Sequence, residues 1–139
     1  MRADDLDHHE LLQLDPDEGV IQFGGERALL VDAVAMGMLR KNLVDSFGAT
    51  AARTVLTQFG FANGWRMSEA IESQFESPEE WAHAGIRVPA LGGLCRFEAG
   101  STGPLSKEGS VMVASYEADQ HLLHFGQADH SICWTLCGL

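Results

Sequence analysis

Ala28-Leu29-Leu30-Val31-Asp32-Ala33-Val34-Ala35-Met36-Gly37-Met38-Leu39-Arg40-Lys41-Asn42-Leu43-Val44-Asp45-Ser46-Phe47-Gly48 carries its apolar residues at helical spacing. Leu39, Leu43 and Phe47 recur every four residues, and Leu30, Val34 and Met38 form a parallel row. That period predicts an amphipathic helix that starts at Ala28 and is capped by Gly48. Arg40 and Lys41 fall in its C-terminal half, where positive charge suits the helix dipole. The most apolar part, residues 28–39, is broken by Asp32 and Gly37 and is too short to span a bilayer.

Upstream of this helix, Val20-Ile21-Gln22-Phe23 reads as a short strand between two turn signals. Asp15-Pro16-Asp17-Glu18-Gly19 precedes it, and Gly24-Gly25 follows with the positive-φ residues a tight turn needs. Residues 1–18 are acidic and weakly patterned, which suggests an arm or a loosely packed lead-in. Downstream, a second helix begins at Thr50 and runs through Ala52, Leu56 and Phe59. Gly60 and Gly64 leave two readings open there: close approach of another backbone, or a bend between two shorter helices. A polar helix over 67–75 follows, and Ser77-Pro78-Glu79-Glu80 has the cap and proline of a new helix start.

Past Pro89 the character turns to strand, over 91–97 and again over 110–116. Ala99-Gly100-Ser101-Thr102-Gly103-Pro104 supplies the connection of a hairpin. A helix is expected over 117–125, closed by Gly126, and a last one starts with Ile132-Cys133-Trp134. Helices first, then a hairpin with helices, make an α+β chain.

The composition narrows what such a chain does. Its 139 residues are one domain's worth, and 45% hydrophobic content builds a core. Twenty acidic residues against 9 basic ones give a net charge of -11. That surface repels phosphate backbones and anionic membranes, so direct nucleic-acid binding is not expected. The start, Met1-Arg2-Ala3-Asp4-Asp5, lacks the basic and apolar regions of a secretory signal. Three cysteines cannot close a disulfide framework without leaving one over. A cytoplasmic protein with reduced thiols is the expectation.

Few residues carry chemistry. His121, His124, His130, Cys133 and Cys137 cluster near the end, with His121 and His124 three apart and Cys133 and Cys137 four apart. Imidazole and thiolate suit zinc, yet the spacing matches no standard finger. The alternative is that the cysteines are small buried hydrophobes and the histidines line a solvated face. His8-His9 is an adjacent pair on the acidic lead-in, of the kind that is more often incidental than ligating. No nucleophile elbow, phosphate-binding loop or dinucleotide fingerprint is present, so an enzyme is not indicated.

A family resemblance adds to this reading. Glu18-Gly19-x-Ile21-x-Phe23-Gly24-x-x-Arg27-x-Leu29-Leu30, Leu39-Arg40-Lys41-x-Leu43-Val44-x-x-Phe47-Gly48, Ala52-Arg53 and Phe59-Gly60-Phe61-x-x-Gly64 resemble the amino-terminal sensor region of XylR/DmpR-type activators of aromatic catabolism. Ala84-Gly85, Leu91-x-Gly93, Ser115-Tyr116-Glu117-Ala118-Asp119 and the run from Phe125-Gly126 to Cys133-Trp134-Thr135-Leu136-x-Gly138 resemble the 4-vinyl reductase-like domain that follows it. The resemblance implies a helical N-terminal part with a β-hairpin lead-in, then a 4-vinyl reductase-like α/β ligand-binding fold truncated at its C-terminus. It divides the chain into an acidic arm (1–12), a XylR N-terminal-like dimerisation and sensor part (13–78) and a partial 4-vinyl reductase-like domain (79–139).

What the resemblance implies about function is a dimeric, cytoplasmic module that binds a small aromatic effector. In such regulators the module controls an AAA+ ATPase working with sigma-54 polymerase. Phenol-sensing members place a histidine where this chain has Pro89 and a tryptophan where it has Met112. Neither replacement donates a hydrogen bond, so a less polar effector is expected. Trp81 falls near a pocket aromatic of the family, with a core or interface role as its alternative, and Trp134 joins Trp81, Pro89 and Met112 in the expected ligand-binding set. The family also holds a structural zinc whose first ligand matches Cys133, the others coming from a later segment. The competing readings are a 4-vinyl reductase-like carrier of hydrophobic small molecules and a structural dimerisation module.

Overall fold

The computed structural model describes residues 2, 5–99, 110–127 and 134–137. Its elements are α1 (His8–Leu11), β1 (Leu12–Asp15), β2 (Val20–Phe23), β3 (Glu26–Ala28), α2 (Ala33–Phe47), α3 (Ala49–Ile71), α4 (Pro78–Leu91), β4 (Cys95–Ala99), β5 (Ser110–Ser115), α5 (Tyr116–Phe125) and α6 (Trp134–Cys137). The α+β class read from the sequence is what the structure has. No helix among the described residues is long and apolar enough to cross a membrane.

The chain forms two compact units, Met1–Leu30 with Arg66–Met112 and Val31–Trp65 with Val113–Leu139. In the first, β1, β2 and β3 make an antiparallel meander, with Leu14 opposite Ile21 and Ile21 opposite Ala28. The lead-in is therefore three strands rather than one hairpin arm, and Gly24 (φ 59°) and Gly25 (φ 87°) make its second turn. Of the arm expected over 1–12, residues 5–12 are packed onto the fold: Leu6 and Leu11 are buried with Ile71, Ala84 and Val88, and Phe23, Met67, Ala70 and Phe75 pack around them. Asp7 caps α1 by accepting from the His9 N–H at 2.9 Å, which turns Leu11 inward.

Helix α2 starts five residues later than the periodicity suggested. Ala28 is committed to the strand ladder, and Asp32 caps the helix by accepting from the Ala35 N–H at 2.9 Å. Gly48 ends it at φ 85°, as expected. Helix α3 continues unbroken through Gly60 and Gly64 to Ile71 and ends in a short 3-10 turn, so it absorbs the start of the polar helix placed over 67–75. Ser77 caps α4, accepting from the Glu80 N–H at 3.2 Å, with Pro78 in the first turn.

Strand character begins later than the expected 91–97, because α4 carries Pro89 inside its last turn and runs to Leu91. The carbonyl left without a partner by that proline belongs to Gly85, which faces solvent. Leu94 then donates back to the Pro89 carbonyl at 2.9 Å and the chain enters β4, which pairs with β5. Tyr116, expected at the end of β5, opens α5 instead: Ser115 caps it by accepting from the Ala118 N–H at 3.1 Å. Gly126 closes α5 in the left-handed region, as the sequence indicated.

Candidate functional site

In the first unit, Trp81 lies on α4 with 37% of its surface exposed. Pro89 is eight residues along the same helix and buried, and Met112 is half-buried in β5. The Cys95 thiol on β4 is buried, and desolvation pushes its pKa up to about 11. An open groove on this unit is lined by Gln13, Leu14, Asp15, Glu18, Val20 and Gln22, and none of the expected ligand-binding residues reaches it. Trp134 belongs to the second unit, and Cys133 lies outside the described residues.

The second unit holds a buried polar cluster that the sequence did not suggest. Arg40, read from the sequence as a cation suited to the helix dipole, is 2% exposed and lies on the inner face of α2. Its Nε sits 3.6 Å from Oε2 of Glu117, whose side chain is only 1% exposed. Glu117 occupies the first turn of α5, a position its Ser115 cap fixes. From there its Oε2 accepts from the Trp134 N–H at 3.0 Å and its Oε1 from the Thr135 N–H at 2.5 Å. A carboxylate on one helix thus satisfies the free amides that start another.

Aromatic groups and a histidine complete the enclosure of the guanidinium. It lies 4.3 Å from the Trp134 ring centroid and 5.9 Å from that of Phe125. Its Nη1 is 3.0 Å from Nδ1 of His121, whose ring stacks on Phe125 at 4.8 Å. Burial lowers the Arg40 pKa, and the charge of Glu117 and the nearby Tyr116 oppose that shift. Arginine starts so high that it keeps its proton at neutral pH, so Nη1 donates and His121 Nδ1 accepts. That direction fixes His121 as a neutral ring protonated on Nε2.

Two glycines make the cluster possible. A Cβ on Gly37 would run into the Gln120 side chain, and one on Gly60 would run into the Thr135 backbone. Gly60 therefore serves close approach, and the alternative of a bend in α3 does not arise. The Tyr116 hydroxyl and the Thr135 hydroxyl, 3.1 Å apart, add a further tie between α5 and α6.

These contacts bear on the metal-ligating residues picked from the sequence. His121 and His124 share α5 as expected, but both are half-buried and do not line a solvated face. With Nδ1 accepting from Arg40 and Nε2 protonated, His121 has no lone pair left for a metal. His124 Nε2 is buried with no hydrogen-bond partner. His130 and Cys133 lie outside the described residues, and of Cys137 only the backbone is described. Among the described residues, the grouping with metal-ligand spacing is Asp7, His8 and His9, all exposed.

The sequence had a usable signal for the buried cluster. Gly37 and Arg40 are three apart, which puts a missing side chain and a long cation on one helix face. Glu117 follows a capping serine, a place where a carboxylate usually faces water. No single-sequence pattern separates the two cases.

The α+β fold is one that a sensory domain of known structure shares. The structure is similar to the phenol-responsive sensory domain of the transcription activator PoxR, determined with phenol. The TM-score is 0.80 at 27% identity, covering 94% of this chain and 69% of that one. The family model for the XylR N-terminal region, described as activator of aromatic catabolism, matches residues 7–102, and the chain belongs to that family. Its sequence is also 28% identical over 133 residues to the phenol regulator MopR of Acinetobacter guillouiae. The match takes in 89% of this chain but spans only 23% of that regulator.

Proposed function

We propose that this chain is the signal-sensing part of a bacterial transcriptional activator, binding a small aromatic or hydrophobic effector without catalysing its conversion. The observation that carries this reading is the family match over residues 7–102 together with the likeness to a phenol-responsive sensory domain. In the intact regulator the bound module would release a downstream AAA+ ATPase acting on sigma-54 polymerase, in the cytoplasm. The mechanism would be differential affinity: the effector favours one arrangement of the module over another and shifts their populations.

The ligand set we propose is Trp81, Pro89, Met112 and Trp134. Pro89 and Met112 stand where phenol-sensing relatives carry hydrogen-bond donors, and Pro89 is buried. A phenol hydroxyl placed there loses its partners at about 1–3 kcal/mol each, which favours a less polar effector. A structural zinc with Cys133 as one ligand is part of the same proposal. Among local donors, His124 has the open nitrogen and His121 does not.

We also read the module as a homodimer. Val34, Met38, Leu39 and Phe47 on α2, with Val55, Phe59, Phe61 and Trp65 on α3, are all large, apolar and exposed. Monomeric proteins rarely leave that much apolar surface uncovered. The amphipathic period of α2 is real, and it turns much of its apolar stripe outward.

Thermal unfolding of the purified protein with phenol, toluene, biphenyl, indole and an aliphatic control tests the effector reading. A ligand at a hundredfold its Kd adds about 2.7 kcal/mol and raises the midpoint by several degrees. Stabilisation by toluene or biphenyl but not phenol is the expected result. A clear response to phenol would refute the polarity argument and keep the sensor. No response to any compound would favour the structural dimerisation module.

A further inference from the structure

The polar cluster of the second unit is built as a support for one short piece of backbone. Glu117 gives both carboxylate oxygens to the Trp134 and Thr135 amides, and Arg40 stands behind it, 3.6 Å from Oε2 and stacked over the Trp134 ring. Gly60 is bare where the Thr135 backbone passes, so α3 closes the third side. No other described residue competes for the two oxygens, and His121 holds the far end of the guanidinium. A buried carboxylate with no cation beside it would take up a proton or turn toward water. Either response surrenders an acceptor.

We propose that Arg40 and Glu117 are positioning residues: Arg40 keeps the Glu117 carboxylate aimed, and Glu117 in turn fixes the backbone at Trp134 and Thr135 to α5 and α2. The geometry also ties the segment to α2, whose opposite face carries exposed Met38 and Leu39. This inference stands on the second unit alone and survives or fails independently of the effector.

Amide hydrogen exchange followed residue by residue tests it. Arg40→Met keeps the length and apolar stem but removes the charge. The Trp134 and Thr135 amides should then exchange at least tenfold faster. The Gly24 amide of the first unit and the Gly126 amide that closes α5, which donate to Leu11 and Leu122, serve as controls and should hold their rates. In the double variant Arg40→Met/Glu117→Gln no charge is stranded, but the amide has one acceptor oxygen and an NH2 that can only donate, so one of the Trp134 and Thr135 amides should regain protection to within about threefold of the parent while the other stays fast. Equal acceleration at all four amides would mean that the pair serves general stability only and would overturn the proposal. Unchanged rates at Trp134 and Thr135 would overturn it as well, as would a double variant as unprotected as Arg40→Met. Should Arg40→Met fail to fold, Arg40→Lys, which keeps the charge but loses the planar fork, gives the same readout with a smaller loss.

Discussion

The two units of this chain bury opposite kinds of chemistry. The centre of the first is Leu6, Leu11, Ile71, Ala84 and Val88, an apolar cluster with no charged member. The second encloses Arg40, Ser115, Glu117, Gln120 and Thr135, and among its described residues the buried apolar side chains are Ala52 and Leu56. The first is held by area removed from water, a non-directional force that tolerates changes of shape. The second is held by directed contacts whose partners fail together, since each buried polar group left alone costs its full desolvation. A polar centre of this kind specifies one arrangement of its helices more sharply than an apolar one, at a cost in tolerance.

The sharpest way to break that contrast is to strand one charge. Arg40→Ala leaves Glu117 buried without a cation and is expected to cost about 3–5 kcal/mol, read as a lower urea midpoint at constant slope. Arg40→Met strands the same carboxylate without the cavity, and adding Glu117→Gln to it removes the stranded charge at the cost of one acceptor, so the double variant is expected to recover part of the loss. In the first unit, no single truncation should have a second substitution that rescues it this way. Should the double variant be as unstable as the single one, the pair stabilises by packing, and the two units differ less than their composition suggests.

A smaller effect follows from the space at Gly60. Alanine is the better helix former, so Gly→Ala in an open helix stabilises. At Gly60 the added Cβ meets the Thr135 backbone, which cannot swing aside as a side chain would. Gly60→Ala is therefore expected to destabilise by about 1–3 kcal/mol, measured by thermal or urea unfolding. A neutral result would show that α6 shifts freely and that the support around Trp134 is soft.

How much of this was legible in the sequence differs between the units in the same way. Turn and cap chemistry was readable wherever it is local: Gly24-Gly25, Gly48, Ser77-Pro78 and Gly126 do what their residue types require. The α+β order and the pairing of β4 with β5 were readable for the same reason. The apolar period of α2 was readable too, but period alone does not say what covers the stripe, and Met38, Leu39 and Phe47 are exposed. The strand at Glu26–Ala28 was missed because a ladder that pairs Ala28 with Ile21 overrides the helical period that begins there. The sequence placed Arg40 in the C-terminal half of α2 but gave no sign that it is buried. Its burial depends on Glu117, 77 positions away, and no local pattern records that distance. Of the expected site residues, Pro89 is buried, and Trp81 and Met112 lie in the same unit.

The least disruptive probe is the counterpart of Gly60 in the first unit. Gly85 sits in the middle of α4, and a Cβ built there meets nothing within 4 Å. Alanine at this site narrows the unfolded ensemble and adds helix propensity without a clash, so Gly85→Ala is expected to stabilise by about 0.4–1 kcal/mol. Circular dichroism melts of Gly85→Ala and Gly60→Ala measured side by side should move in opposite directions. The same chemical change, made twice in helices of one short chain, then reports the difference between an open face and a backbone crossing. If both variants gained stability, the crossing at Thr135 would be looser than drawn. If both lost it, α4 would have a neighbour at Gly85 in solution, and the assembled form of the protein would be where to look for it.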